Sequence, residues 1–154
     1  MRIAVLPLFF YLYNAGNITS CLILLAFSAA TDFFDGYLDR RLKVTSRFGA
    51  YYDATTDFIL IIGIFTIFSA KGYYPTWLLL VITLSFVQFL ASSLYSKKLY
   101  DPGGKYTGSA LYIGIVLTLI FPTQAIFSFV EFAFLGFFLV SLASRAVSLA
   151  RKHD

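Results

Sequence analysis

Charged residues are scarce in this sequence, at 13% of 154 residues, against roughly 25% in an ordinary soluble domain. This scarcity argues against a water-soluble globule. Cysteine is scarcer still, since Cys21 is the only one. An intramolecular disulfide and a thiolate metal cluster are therefore excluded. Cys21 lies in an apolar block and is interpreted as a small apolar helix residue.

Apolar residues make up 59% of the chain and aromatic residues 19%. They run in blocks such as Phe58 to Ala70, Trp77 to Leu90 and Leu111 to Pro122, each extensible toward the roughly 20 residues that span a bilayer. A single secretory signal does not explain blocks that continue to the end of the chain. Because no linker, low-complexity tract or repeat interrupts them, residues 1–154 are predicted to form one domain.

Six apolar stretches predict an all-α membrane protein, a bundle of six transmembrane helices with both termini in the cytoplasm. The first stretch has eleven residues, too few at about 1.5 Å each to cross a core about 30 Å thick, so it needs its flanks or an upstream extension. The predicted spans are Ile3 to Tyr13, Ile18 to Leu38, Phe48 to Ala70, Pro75 to Tyr95, Tyr106 to Phe121 and Ala125 to Leu149.

Basic residues orient this bundle, because eleven of them fall at alternate ends of the stretches and only Lys71 falls opposite. By the positive-inside rule both termini and the segments Asp39 to Arg47 and Tyr95 to Lys105 are cytoplasmic. The net charge of +4 is spread over short segments between apolar blocks. We therefore expect membrane lipids with anionic headgroups as the partner, and no nucleic acid.

Five of the eight acidic residues crowd into one stretch: Asp32, Asp35, Asp39, Asp53 and Asp57. On helices, the spacings of three and four stack each pair within one turn, and two antiparallel helices would bring four carboxylates together. Such crowding requires raised pKa values or divalent cations. Oxygen ligands without a nearby His or Cys favour Mg²⁺ or Mn²⁺.

A plainer alternative is that these aspartates cap helices and pair with Arg40, Arg41, Lys43 and Arg47. Capping explains one aspartate at each helix end but not stacked pairs on both helices.

The stretch from Asp32 to Asp57, DFFDGYLDRRLKVTSRFGAYYDATTD, resembles the signature of the CDP-alcohol phosphatidyltransferase family, D-x2-D-G-x2-A-R-x8-G-x3-D-x3-D. Every spacing of the signature is met. The residues in register are Asp32, Asp35, Gly36, Arg40, Gly49, Asp53 and Asp57.

The resemblance implies a site with two metal ions, Mg²⁺ or Mn²⁺. Asp32, Asp35 and Asp53 would hold one ion, and Asp32, Asp53 and Asp57 would contact the second. Asp57 would also be the catalytic general base.

The resemblance also assigns residues that bind the substrate. Gly36 would let the nucleotide approach the helix backbone, and Arg40 and Ser46, on the loop, would contact the CDP part of the donor. The alternative for Gly36 and Gly49 is that they are simple packing glycines between helices. Lys105, in a Gly-Lys-x-Thr feature at the start of the fifth helix, would bind a phosphate or act as a positive-inside anchor.

Two departures from the family pattern stand out. Asp39 replaces the family's alanine; either the helix continues and Asp39 adds charge beside the metals, or the helix ends first and Asp39 pairs with Arg40 or Lys43. The family's Pro-Asn and Thr-containing segment before Arg2 is missing, which implies a misplaced start, a truncation or a relative with impaired donor binding.

The implied function is transfer of a phosphatidyl-type group from a CDP-lipid, CDP-diacylglycerol or CDP-archaeol, to a small alcohol acceptor, with release of CMP at the cytoplasmic face. The alternative is a non-catalytic or transport-type membrane protein with a divalent-cation site. The basic residues Lys97, Lys98 and Lys105 suit either a phosphate-bearing acceptor or lipid. Val87-Gln88 stands where glycerophosphate synthases show Arg-Glu, which lowers the expectation of glycerol phosphate. A homodimer is left open.

Overall fold

The computed structural model describes residues 2–42, 47–96 and 102–150, and over these ranges the chain is helical with no strand. The all-helical prediction is confirmed. The six helices are α1 (Arg2–Asn14), α2 (Ile18–Leu42), α3 (Arg47–Ala70), α4 (Trp77–Ser96), α5 (Pro102–Ile120) and α6 (Gln124–Ala150).

Two helix ends differ from the prediction, and both differences bear on the motif. Helix α2 continues four residues beyond the predicted end, through Asp39 and Arg40 to Leu42. The interpretation in which the helix ends before Asp39 is therefore wrong, and Arg40 lies on a helix rather than on a loop. The physical reason is that no proline or glycine follows Gly36 in this helix, and leucine and arginine are good helix formers.

Helix α5 begins at Pro102, four residues before the predicted start, so Lys105 lies in its first turn and not on a loop. Proline is favoured as the first helical residue, because its fixed φ suits the helix and its missing N–H has no intrahelical partner there.

Two helices contain apolar stretches long enough to cross a membrane: Tyr51–Ala70 within α3 and Gln124–Ala143 within α6. Shorter apolar stretches occupy the other four helices within the described ranges: Ala4–Asn14, Ile18–Thr31, Trp77–Ala91 and Thr107–Ile120. The structure therefore supports two of the six predicted spans by length and composition.

The chain divides into two compact units, residues 1–67 and 68–154. In the first unit, α1 packs on α2, with Phe9 and Cys21 fully buried. Helix α1 also approaches α3 closely, because a Cβ added at Gly63 would lie 2.6 Å from the Leu6 side chain. That the whole of 1–154 forms one domain stays a prediction.

Helices α1 and α3 end in the same way, because each is followed two residues later by a glycine, Gly16 or Gly72. Their φ angles of 74° and 80° are left-handed, a region that glycine enters without steric cost. The amide of Asn17 donates to the carbonyl of Leu12, and that of Tyr73 donates to the carbonyl of Phe68. The amide of each glycine also donates to the carbonyl three residues earlier. The two bonds at each helix end form a Schellman motif, which terminates the helix.

In the second unit, α5 packs against α6, and α4 contacts both. The closest approach is at Gly114, where an added Cβ would lie 2.9 Å from Val130 Cγ1. The core of this unit includes Leu78, Ile82, Ile115 and Phe134.

One end of the second unit is closed by an aromatic and hydroxyl cluster, which we call the connection cluster: Phe68, Tyr73, Tyr74, Thr118 and Phe127. The Tyr73 ring stacks on Phe127 with centroids 4.7 Å apart, and Tyr74 lies between Phe68 and Phe127. The hydroxyls of Tyr74 and Thr118 are 2.6 Å apart and buried. The end of α3, the end of α5 and the start of α6 therefore meet at one level.

The direction of the hydrogen bond between the two hydroxyls can be assigned. Thr118 Oγ1 donates to the carbonyl of Gly114 at 2.7 Å, so its single proton is used and Tyr74 is the donor to Thr118. Burial raises the pKa of Tyr74 above its ordinary value of 10.0, and the charge of Glu131 adds to this shift. Tyr74 thus keeps its proton at alkaline pH more readily in the native state than when unfolded, so stability falls as pH rises above about 10.

We predict that Thr118→Val destabilises the protein by about 1–3 kcal/mol, because it leaves the buried Tyr74 hydroxyl without its acceptor. Tyr74→Phe removes the hydroxyl itself and should cost about 0.5–1.5 kcal/mol. The double variant should lose less than the sum of the two, as measured by denaturant unfolding in detergent micelles. Thr83→Val is the matched control, since Thr83 is exposed and bonds only the Leu79 carbonyl of its own helix. Strictly additive losses would show that the bond between Tyr74 and Thr118 contributes nothing.

Candidate active site

The four motif aspartates occupy corresponding positions on two consecutive helices. Asp32 lies ten residues before the end of α2, and Asp57 lies ten residues after the start of α3. Asp35 lies seven residues before the end of α2, and Asp53 lies six residues after the start of α3. At 1.5 Å per residue, each helix carries one aspartate about 10 Å and one about 15 Å from the α2–α3 connection.

The α2–α3 connection, residues 43–46, is only four residues long and lies outside the described residues, as does Ser46 within it. A connection of this length joins helices that are usually antiparallel neighbours.

On α3 the two aspartates share a face, because they are four residues apart on a continuous helix. The side chain of Asp53 is exposed and that of Asp57 is half-buried. Asp57 therefore lies closer to the apolar part of α3, and Asp53 lies one turn nearer the start of the helix.

Two threonines between these aspartates have their hydroxyl protons used within the helix. Thr55 Oγ1 donates to the carbonyl of Tyr51 at 2.8 Å, and the buried Thr56 donates to the carbonyl of Asp53 at 2.9 Å. Neither proton is left for a ligand, so the carboxylates are the groups of this turn suited to bind one. Sequence reasoning passed over both threonines, although hydroxyl residues in an apolar helix usually bond a carbonyl three or four residues back.

The remaining predicted site residues are placed by backbone only. Asp32, Asp35, Gly36 and Arg40 lie on α2, and Lys105 lies on α5. Within the part of the chain whose side chains are described, no three His, Cys, Asp or Glu residues converge on a metal position. The structure thus brings Asp53 and Asp57 together, and the convergence of all four aspartates stays a prediction.

The family model for CDP-alcohol phosphatidyltransferases matches residues 1–148, nearly the whole chain. The chain belongs to the CDP-alcohol phosphatidyltransferase family. The aspartate motif is thus the motif of this family. All seven of its residues in register lie on helices α2 and α3, namely Asp32, Asp35, Gly36, Arg40, Gly49, Asp53 and Asp57.

Several curated relatives carry the name CDP-diacylglycerol–glycerol-3-phosphate 3-phosphatidyltransferase. The protein of Yersinia pestis strain Pestoides F is 30% identical over 121 residues, covering 77% of this chain and 66% of the relative. That of Yersinia enterocolitica is 32% identical over 120 residues, 76% of this chain and 65% of the relative. That of Pectobacterium atrosepticum is 30% identical over the same length. The chain spans just under two thirds of the length of these relatives, and no solved structure matches it significantly.

Asp39 is the residue at which this family member departs from the motif, and the fold decides part of its interpretation. Helix α2 continues through Asp39, which lies seven residues after Asp32 and four after Asp35 on that helix. A third acidic position therefore follows the motif pair at helical spacing. That Asp39 adds charge beside the metal ions stays a prediction.

Proposed function

We propose that this family member transfers a phosphatidyl-type group from a CDP-lipid to an alcohol and releases CMP. The observation that carries the proposal is the register of the family motif on α2 and α3. The two aspartates of α2 and the two of α3 lie at matching distances from a four-residue connection. If the helices are antiparallel, the four carboxylates fall at two adjacent levels, one helical turn apart.

The aspartates fit two hard divalent cations, Mg²⁺ or Mn²⁺, because carboxylate oxygens are the ligands that these ions prefer. On α3 the fit is supported by the exposed Asp53 and the half-buried Asp57, stacked on one face with both neighbouring threonine protons already used. Asp32, Asp35 and Asp53 would hold one ion, and Asp32, Asp53 and Asp57 the other. Bound ions would neutralise the pyrophosphate of the donor and the departing phosphate.

Asp57 is the proposed general base. The oxygen of the acceptor alcohol attacks the phosphorus of the phosphatidyl group, and its proton passes to the Asp57 carboxylate. The bond from that phosphorus to the bridging oxygen breaks, and CMP leaves with the electron pair. The half-buried position of Asp57 supports this role, because less water competes for its carboxylate than for that of the exposed Asp53.

Substrate binding is proposed for Gly36, Arg40, Ser46 and Lys105. Gly36 and Arg40 follow Asp35 on α2, the first giving the nucleotide access to the backbone and the second binding phosphate. Lys105 lies in the first turn of α5, where the positive end of the helix dipole adds to its own charge. This placement supports phosphate binding over a purely topological anchor.

The acceptor is proposed to be an alcohol that already carries a phosphate, with glycerol 3-phosphate as the first to test. The names of the relatives favour it, whereas Val87-Gln88 in place of Arg-Glu weighs against it. An acceptor panel with glycerol 3-phosphate, inositol phosphate and serine, each with CDP-diacylglycerol and CDP-archaeol, decides between these indications.

The membrane arrangement is proposed to be six spans with both termini and the active site on the cytoplasmic side. The charge asymmetry supports it, with eleven basic residues against one. The connection cluster supports an alternating direction of successive helices, because the end of α3, the end of α5 and the start of α6 meet at one level. A homodimer stays open.

We predict that Asp32→Asn and Asp53→Asn each lower metal-dependent CMP release by at least about 100-fold, because each removes a ligand shared by both ions. Release of CMP from CDP-diacylglycerol, with Mn²⁺ binding followed by electron paramagnetic resonance, is the measurement. Glu131→Gln is the matched control: it makes the same carboxylate-to-amide change on α6, outside the motif. Wild-type activity in either aspartate variant would remove the metal role. Mn²⁺ binding without CMP release in the wild-type chain would favour the transport-type alternative.

We predict that Asp57→Asn lowers turnover but leaves CDP-lipid affinity nearly unchanged, whereas Asp53→Asn lowers both. Loss of a general base lowers turnover by roughly 100-fold to 10,000-fold, while the amide keeps an oxygen for the metal. CDP-lipid affinity at saturating Mg²⁺ should therefore change little in Asp57→Asn and fall in Asp53→Asn, while single-turnover CMP release falls in both. Equal loss of affinity in the two variants would make Asp57 chiefly a ligand.

We predict that single cysteines at Lys43 and Lys98 react only from the cytoplasmic side, and that those at Lys71 and Thr123 react only from the other side. Lys43 and Lys98 lie outside the described residues, whereas Lys71 and Thr123 are exposed. Lys71 is preferable to Gly72, whose φ of 80° would strain any other residue. Replacing the buried Cys21 by alanine provides the cysteine-free background. Labelling of positions 43 and 71 from the same side would contradict the six-span arrangement.

A further inference from the structure

Tyr73 of the connection cluster and three residues near it in the chain, Lys71, Trp77 and Phe121, combine aromatic rings with a positive charge. Lys71 is exposed, Tyr73 is half-buried, and Trp77 and Phe121 are 41% and 55% exposed. We call these four residues the aromatic rim. Lys71 and Tyr73 lie in the connection from α3 to α4, Trp77 begins α4, and Phe121 follows the end of α5.

Contacts within the second unit place the rim at a single level. Tyr73 stacks on Phe127 in the first turn of α6, so the α3–α4 connection lies against the start of α6. Its neighbour Tyr74 bonds Thr118 in the last turn of α5, three residues before Phe121. The rim therefore surrounds one end of the unit and is not scattered along its length.

Beyond the rim, along α4 and α6, the exposed side chains are mainly apolar. The first 20 residues of α6 form a strongly apolar stretch in which only Phe127, Val130 and Phe134 are buried. On α4, Leu80 and Leu84 are 67% and 54% exposed. Apolar side chains that face outward in this number suit a lipid environment. The rim combines two rings that carry a polar group, Tyr73 and Trp77, with the apolar ring of Phe121 and one lysine. Tyrosine, tryptophan and lysine side chains concentrate at the boundary between hydrocarbon and headgroups.

We propose that the aromatic rim is a membrane-anchoring surface that lies among the headgroups and ester carbonyls of the bilayer. It would belong to the leaflet at the Ala70 end of α3. Trp77 and Tyr73 fix the depth of the helices, and Lys71 pairs with lipid phosphate. This inference rests on the proposed multi-pass arrangement.

Trp77 is the only tryptophan in the chain, so the wild-type protein reports its depth without substitution. The full chain is placed in vesicles of phosphatidylcholine and phosphatidylglycerol that carry bromine at shallow or deep acyl positions. We expect bromine near the ester carbonyls to quench Trp77 fluorescence more than bromine near the chain ends. Stronger quenching by the deep label would overturn the proposal. Quenching by aqueous iodide without quenching by either lipid would also overturn it, since a surface in water or under a protein partner gives that result.

A matched variant calibrates the depth scale. Trp77→Phe combined with Leu84→Trp moves the indole seven residues along α4, about 10 Å farther into the proposed hydrocarbon, at a position that is already exposed. The deep label should now quench more strongly than the shallow one. The same order in both proteins would show that α4 does not descend from the rim into the bilayer.

The readout is independent of catalysis. Repeating the quenching on Asp53→Asn, which is expected to be inactive, should give the same shallow position for Trp77. A protein that releases CMP but holds Trp77 deep would refute the rim and leave the proposed reaction standing. A shallow Trp77 without CMP release in the wild-type chain would refute the reaction and leave the rim.

Discussion

Every buried polar group in helices as apolar as these needs a hydrogen-bond partner within the protein, because no water is available to supply one. The structure meets this constraint locally. Most hydroxyls whose bonds are described donate to a carbonyl three or four residues back on their own helix, namely those of Thr31, Thr55, Thr56, Thr66, Thr83, Ser85 and Thr118. Only the buried Ser69 hydroxyl lacks a partner in the described part of the chain.

Carboxylates cannot satisfy themselves in this way, because an ionised carboxylate only accepts hydrogen bonds and the helix interior offers it no free N–H. Aspartates stacked on one helix face must therefore find partners beyond their own helix. The same constraint thus gives the threonines a structural role, and it supports the proposal that the aspartates bind cations. Tyr74 is the intermediate case, since its donor reaches across to α5 and ties a connection to a helix end.

The number of helices and the helical placement of the motif could be predicted from sequence, because apolar blocks and aspartate spacings are periodic signals. The end of α2 could not, since charge at Asp39 and Arg40 suggested a loop, although arginine and leucine sustain a helix until a breaker intervenes. The start of α5 was detectable from Asp101-Pro102, a common pair at helix starts. The Tyr74–Thr118 bond was not detectable, because it joins residues 44 apart whose proximity arises only from tertiary packing.

The close approach at Gly114 has a consequence for how this sequence can diverge. Val130 occupies the space that a side chain at position 114 would need, so the two positions share one small volume. A larger residue at 114 is compatible with the present separation of α5 and α6 only when position 130 becomes smaller. The two sites should therefore change as a compensatory pair among descendants of this chain. At Gly136, where an added Cβ meets nothing within 4 Å, alanine or serine can accumulate independently of its neighbours.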